Sequence, residues 1–315
     1  MLAIALLLAV TPAREIDEQL YRGEWERVLG DLRRRQDEAS KGTDHREQTR
    51  IAVLLARAQV TSNAYHLRDE TLTDQVTARS LQLAEQEKDP ALLAEALLAR
   101  GRLLYWRAFH DRRWDAAQAP FERARPLCAQ AGDAHCESEA WFYLGLIEQQ
   151  QDRLEAGDER FRKGLALARA SKDAVQESFI QRHLAASAEA RGLLDEAEKG
   201  FGESLRLRLE QKACVLSPFA QLTLAEFYEK SHRSLDKVRR LVEDAAASAS
   251  RCGSNRAAID ARLTLARATS SSTDRRKLLN EALALARRFD EETLVKEVEA
   301  ALEALPGGFD GGAPP

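Results

Sequence analysis

The chain has little of what interrupts a helix and little of what fills a sheet. Among 315 residues there are 8 prolines, 16 glycines and a single methionine, and aromatics make up 6%. With abundant Ala, Leu, Arg and Glu, that scarcity excludes a sheet-based sandwich or barrel and favours helix throughout. Charge of neither sign dominates: 47 Lys plus Arg stand against 51 Asp plus Glu, for a net charge of −4. Without an overall positive field the chain has no attraction for phosphate backbones, and nucleic acid is not an expected partner. The longest uninterrupted apolar stretch is the opening one, from Met1 to Val10. It is too short to span a bilayer, so no transmembrane segment is expected in the mature chain.

The signatures of common enzyme classes are missing as well. There is no G-x-S-x-G elbow, no phosphate-binding glycine loop and no H-E-x-x-H. The six histidines, at 45, 66, 110, 135, 183 and 232, form no pair at metal-ligand spacing. His135, Cys136 and Glu137, with Glu139 and Asp133 nearby, are the densest cluster, and they read as a turn followed by the polar start of a helix rather than as a zinc site. No catalytic residue, metal or cofactor is expected. An enzyme using dispersed carboxylates and histidines would instead require a deep polar pocket with several perturbed groups in one place.

What the sequence does contain is a repeat. Trp114, Leu154 and Leu194 are 40 residues apart, and so are Phe121, Phe161 and Phe201, the small residues Ala117, Gly157 and Ala197, then Ala124, Gly164 and Ser204, and finally Leu127, Leu167 and Leu207. Within each copy these positions fall on one stripe of a helix. A second stripe upstream carries Leu144 and Gly145, Leu184 and Ala185, Leu224 and Ala225, so each unit is two helices. The small columns let two helices cross closely while a large neighbour fills the gap. One hairpin cannot bury both of its faces, and stacking several makes a continuous core.

The unit with Trp141, Leu144 and Gly145 on its first helix and Gly157, Phe161 and Gly164 on its second resembles a tetratricopeptide repeat (TPR). The next keeps Leu184, Ala185, Gly192, Ala197, Phe201 and Ser204, and Gly23 to Trp25 resembles a hairpin corner. The departures are a period of about 40 against the family's 34 or so, and Glu148 and Ala188 where the family has tyrosine, with Arg169 and Leu209 where it has its closing proline. Hairpins are expected over 45–88, 90–132, 136–172, 175–212, 217–251 and 256–303, behind an N-terminal cap at 14–40. Helix starts are read at Asp89–Pro90, Ser217–Pro218 and Thr273–Asp274, and Pro120 or Pro126 should kink the helix that contains them or mark its later start. The expected fold is an all-α, right-handed superhelical solenoid of about six antiparallel hairpins over residues 14–303.

The resemblance implies that other proteins or peptides bind the concave groove lined by first helices. The family's groove spacing maps there Glu139, Phe142, Leu146 and Gln149, then Phe179, Arg182, Ala186 and Glu189, then Phe219, Leu222, Glu226 and Glu229. The basic and amide residues with which some chaperone-binding members grip a C-terminal carboxylate are not assembled at these positions.

Residues 1–13 end in small residues before Arg14 and Glu15 and read as a secretory signal peptide; the other reading is an apolar first helix packed on the repeat behind it. No cysteine near that point offers a lipid anchor. Residues 304–315, rich in Gly and Pro, are expected to be a disordered tail. The four cysteines sit at hairpin ends that antiparallel packing brings together, so Cys128 is expected to meet Cys136 and Cys214 to meet Cys252, either as bridges or as idle thiols. Export with bridges would place a non-enzymatic adaptor in the periplasm or outside the cell. An uncleaved chain with free thiols would be a cytoplasmic regulatory module acting on a separate effector.

Overall fold

The computed structural model describes residues 13–289 and 292–305, and every regular element in it is a helix. The residues of the expected signal peptide before Ala13, and those of the expected tail beyond Leu305, lie outside the described residues. Two short N-terminal helices, α1 (Ala13–Tyr21) and α2 (Trp25–Ala39), precede six antiparallel hairpins: α3 (His45–Tyr65) with α4 (Glu70–Glu87), α5 (Pro90–Asp111) with α6 (Trp114–Ala131), α7 (Ala134–Gln149) with α8 (Leu154–Ala170), α9 (Ala174–Ala190) with α10 (Leu194–Glu210), α11 (Ser217–Ser231) with α12 (Leu235–Cys252) and α13 (Asn255–Ala268) with α14 (Ser272–Phe289). A last helix, α15 (Glu292–Glu303), makes the final unit three helices instead of the expected pair.

The repeated columns have the packing role their sizes suggest. Phe121, Phe161 and Phe201 are buried on second helices, each contributing about 1.5–3 kcal/mol through removal from water. A Cβ on Gly145 would lie 2.6 Å from the Phe161 ring, so only glycine lets α7 and α8 approach this closely.

First helices begin at a column of aspartate caps. Asp44, Asp89, Asp133 and Asp173 each accept a backbone N–H from the first turn of α3, α5, α7 and α9. Their spacing is not constant, because α3 and α5 have 21 and 22 residues where α7 and α9 have 16 and 17. The extra four to six residues, more than one helical turn, extend the C-terminal ends of α3 and α5, and positions counted from the caps stay in register. Two other expected starts differ. The Ser217 hydroxyl donates to the carbonyl of Ala213 instead of capping α11, and Ser271, not Thr273, caps α14 by accepting the N–H of Asp274 at 3.2 Å. The later start considered for α6 does not occur: it runs from Trp114 through both prolines, with Pro120 buried and Pro126 facing solvent.

The solenoid closes on its own beginning. Trp25 Nε1 donates to the carbonyl of Cys252 at 3.2 Å, Asn255 Nδ2 donates to the carbonyl of His66 at 2.6 Å, and the backbone N–H of Val215 donates to the carbonyl of Tyr21 at 2.9 Å. Gly23, with φ +84°, passes so close to the Cys252 carbonyl that a Cβ there would stand 3.0 Å from its oxygen. Both cysteine pairs lie at disulfide distance, with Cα separations of 5.5 Å for Cys128 and Cys136 and 5.9 Å for Cys214 and Cys252. The second pair forms the ledge on which the α1–α2 corner rests.

Candidate functional site

Closure turns the concave face into an axial channel. Cavities of about 220, 470 and 670 Å³ follow one another along it, and all three share Tyr65 of α3 and Trp106 of α5. Their walls come mainly from the odd-numbered helices, with Arg208 of α10 and Phe289 of α14 reaching in from second helices. Trp106 and Phe109 remain 39% and 37% exposed, an unusual state for large aromatics on an inner face and one that leaves contact area for a partner.

The channel is partly filled by α1. Arg14 donates to the carbonyls of Ser171 and Lys172, both at 3.1 Å, at the C-terminal end of α8, where helix carbonyls favour a cation. Asp17 accepts from Arg57 at 2.8 Å and from Arg102 at 3.4 Å, and Tyr21 packs edge-on against Phe179. A nine-residue helix from the same chain is thus held along the inner face by one carboxylate, one guanidinium and one ring.

Around Asp17 lies a buried, charge-compensated network. Arg57 is 0% exposed and also bonds Glu139 at 2.6 Å and Glu95 at 2.7 Å, while Arg102 lies 3.5 Å from Glu139. His135 meets Asp173 at 2.5 Å. Burial opposes the ionised form of Asp17, but the charges of Arg57 and Arg102 outweigh it and hold the carboxyl below its usual range. For Glu95 burial wins over Arg57, and its pKa is raised. Burial likewise opposes the imidazolium of His135, and the bond from Asp173 more than offsets it, so that pKa is raised.

Further along, the balance disappears. Arg208 is 1% exposed, donates to the carbonyl of Leu216 at 2.9 Å and to Ser178 Oγ at 3.2 Å, and stacks over the Phe179 ring at 4.8 Å. Among the described residues Arg182 makes one side-chain hydrogen bond, to His183 Nε2 at 2.8 Å. Among the described residues no carboxylate lies within 4.0 Å of either guanidinium. Burial, with the charge of Arg182 added, pushes the pKa of Arg208 down to about 9.

The structure distributes the groove residues read from the sequence unevenly. Phe142, Leu146, Phe179, Arg182, Phe219, Leu222, Glu226 and Glu229 line the channel. Glu139 lines it too, but its carboxylate is taken by Arg57 and Arg102. Gln149 is locked between repeats, bonding the carbonyl and ring of His183 and the hydroxyl of Ser187, and Ala186 packs into the core between α9 and α11. Gln149, Ala186 and Glu189 line none of the three cavities. Sequence reasoning missed Trp106, Phe109 and Tyr105 because it assigned groove positions only from Glu139 onward; a count of 40 back from Leu146 and Gln149 falls on Trp106 and Phe109. Aligning the caps Asp89 and Asp133, 44 residues apart, superposes Tyr105 on Gln149 and Glu95 on Glu139, and those two glutamates do share Arg57. Nothing in the repeat pattern signals that α1 enters the channel. Among the described residues no group of three or more His, Cys, Asp or Glu is placed to hold a metal ion, and no helix is long and apolar enough to cross a membrane.

No family model matches the chain, and no curated protein does. Among solved structures it is similar to BtubC (BKLC) from P. vanneervenii, with 16% identity over 72% of this chain and 91% of that one and a TM-score of 0.51. A signal-transduction ATPase with numerous domains and a tetratricopeptide repeat sensor, from Pyrococcus horikoshii, is 13% identical over 90% of this chain and 40% of that one, with a TM-score of 0.49. A Rap protein complexed with competence and sporulation factor is 11% identical over 93% of this chain and 98% of that one, also with a TM-score of 0.49. The stacked hairpins, small-residue crossings and concave first-helix face give this chain the fold of a TPR-like α-solenoid.

Proposed function

We propose that the protein is a non-enzymatic interaction scaffold that binds a peptide or protein segment in its axial channel. The observation that carries this reading is α1 itself: the channel already holds a short helix through side chains of α3, α5 and α9 and through the end of α8, which is how a segment of another chain would be held. Because the walls are formed before binding, the ordering cost falls mainly on the ligand. The half-exposed Trp106 and Phe109 supply rigid aromatic contact area beside it.

We place the scaffold outside the cytoplasm, in the periplasm or the secreted fraction. Two cysteine pairs at disulfide distance support that location, since such bridges persist in oxidising compartments. Cleavage after Ala13 would leave α1 in place, with the new amino terminus at Arg14 adding a second positive charge beside the carbonyls of Ser171 and Lys172.

A photo-crosslinking amino acid at Trp106, compared with one at Arg240 on the outer face, tests the channel in cells expressing the chain with its native N-terminus. A discrete adduct from position 106 and none from 240 is the expected result, while equal or absent labelling refutes channel binding. Intact mass before and after reduction and alkylation tests the location. Loss of residues 1–13, with four cysteines alkylated only after reduction, is expected.

A further inference from the structure

We infer that Arg182 and Arg208 form a second, unfilled carboxylate site in the channel, which takes an Asp or Glu side chain presented by a docked peptide segment. The inference rests on reading the channel as the binding site. The molecule supplies the precedent: α1 docks by offering the Asp17 carboxylate to two inner-face arginines, Arg57 and Arg102. Arg182 and Arg208 are the next such pair along the same channel, and both line the 670 Å³ cavity that follows the part filled by α1.

Arg57, Arg102 and Arg208 are buried and Arg182 is partly so, and the two pairs differ in compensation. Withdrawing a guanidinium from water costs several kcal/mol, which is recovered only where carboxylates and further hydrogen bonds meet it. Arg57 meets three carboxylates. Arg208 meets a carbonyl, a hydroxyl and a ring, and Arg182 meets the ring nitrogen of a neutral histidine. A ligand carboxylate is the group that restores the balance.

The surroundings select the charge and shape of the ligand. The buried or partly buried groups of the cavity include Arg182, Arg208, the apolar Phe179 and Leu216, and Asp260, whose carboxylate is taken by Arg256 at 3.2 Å, whereas Glu226, Glu229 and Glu297 line the same cavity from exposed positions. Exposed acids near the entrance disfavour a dianion such as phosphate, and they suit a segment that carries one carboxylate inward and basic or neutral residues outward. The site also differs from one built on first helices alone. Arg208 belongs to α10 and reaches the channel beneath Phe179, so first-helix spacing could not locate it.

The test is retention of random nonapeptides, the length of α1, on the immobilised full chain. One library ends in the C-terminal amide and the other in the free acid, and bound peptides are sequenced by mass spectrometry. Enrichment of Asp or Glu within the amidated library is expected, falling roughly 30-fold or more on loss of either guanidinium from the desolvated site. Arg182→Gln and Arg208→Gln provide that loss, each checked for a cooperative melt; because Arg208 is buried, Arg182→Gln serves alone if Arg208→Gln does not fold. Enrichment confined to free acids, and abolished by the same variants, keeps the carboxylate site and reassigns its source to a chain terminus. Retention without carboxylate enrichment, or enrichment indifferent to both variants, overturns the site and leaves channel binding intact. No retention in either library removes channel binding and this inference together.

Discussion

Two arginine pairs lie along one channel and are treated in opposite ways. Arg57 and Arg102 are enclosed by Asp17, Glu95 and Glu139, so every buried positive charge there has an opposite within 4.0 Å. Arg182 and Arg208, two hairpins later, have none among the described residues. The first arrangement fixes α1 and the early hairpins in one geometry. The second leaves a local imbalance that adds nothing to the folded state and is relieved by something from outside. Where a fold keeps an arrangement that costs stability, binding is the natural reason for it.

The largest expected effect comes from breaking the compensated pair. Arg57→Met leaves Asp17, Glu95 and Glu139 buried without their shared cation, and we expect a loss of about 3–5 kcal/mol in urea denaturation. A loss under about 1 kcal/mol would mean that the network is hydrated and exchangeable, and the contrast between the pairs would collapse.

Next in size is the ledge that holds the channel closed. Cys214→Ser together with Cys252→Ser removes a link across 38 residues beside the docking point of Trp25, and a loss of roughly 2–4 kcal/mol is expected. The matching change at Cys128 and Cys136, which spans only 8 residues, should cost less. Hydrogen exchange adds a spatial readout: only the first double variant should deprotect α1 and α2. Equal deprotection by both would show that the seam does not depend on the Cys214–Cys252 link.

The uncompensated pair should respond with the opposite sign. Arg182→Met keeps the apolar stem, removes a cation beside Arg208 and sacrifices only a contact to His183. We expect stability to rise by about 1 kcal/mol, as when buried charges give way to hydrophobic side chains of similar volume. A thermal midpoint lowered by this variant would show that Arg182 is already satisfied in the ligand-free chain.

Much of this molecule is legible in its sequence, and the parts that are not share a physical cause. Hairpins from residue 45 to 252, the Phe161–Gly145 crossing and the proximity of both cysteine pairs all follow from local periodicity and antiparallel packing. The placement of Phe179, Arg182 and Phe219 along one inner cavity follows as well. Three features escape. Trp106 and Phe109 lie in a unit to which no groove positions are assigned, in the C-terminal extension of α5 that has no counterpart in α7. The docking of α1 joins residues 40 to 158 positions apart and closure of Trp25 onto Cys252 joins residues 227 apart, and no short-range pattern encodes such contacts. Arg208 is amphipathic-helix surface by its sequence context and becomes interior only because α10 packs beneath Phe179.

The smallest effect, and the finest test of the contrast, is its pH signature, because a histidine sits in each cluster. The pKa of His135 is raised by Asp173 against burial, so its contribution to stability is complete below the unfolded value of about 6.5 and is lost as pH rises through the raised one. His183 is pushed well below 6.5 by burial, then by the charges of Arg182 and Arg208. Its ring pairs with Gln149 Oε1 at 2.8 Å through Nδ1 and faces Arg182 through Nε2 at 2.8 Å, and the neutral form with the proton on Nδ1 satisfies both. Its contribution is present above about 6.5 and is lost as pH falls toward the depressed value. The two slopes oppose each other, with the larger shift at His183, so the wild-type chain should lose stability modestly from about pH 7 to pH 5. His183→Gln removes the largest of these slopes and leaves that of His135 opposed by a smaller one from His66, whose pKa burial lowers, so the loss of stability over the same interval should shrink markedly. Denaturation midpoints at a series of pH values decide the matter: an unchanged slope in His183→Gln would mean that the second cluster is as well compensated as the first, and the distinction between the two arginine pairs would be lost.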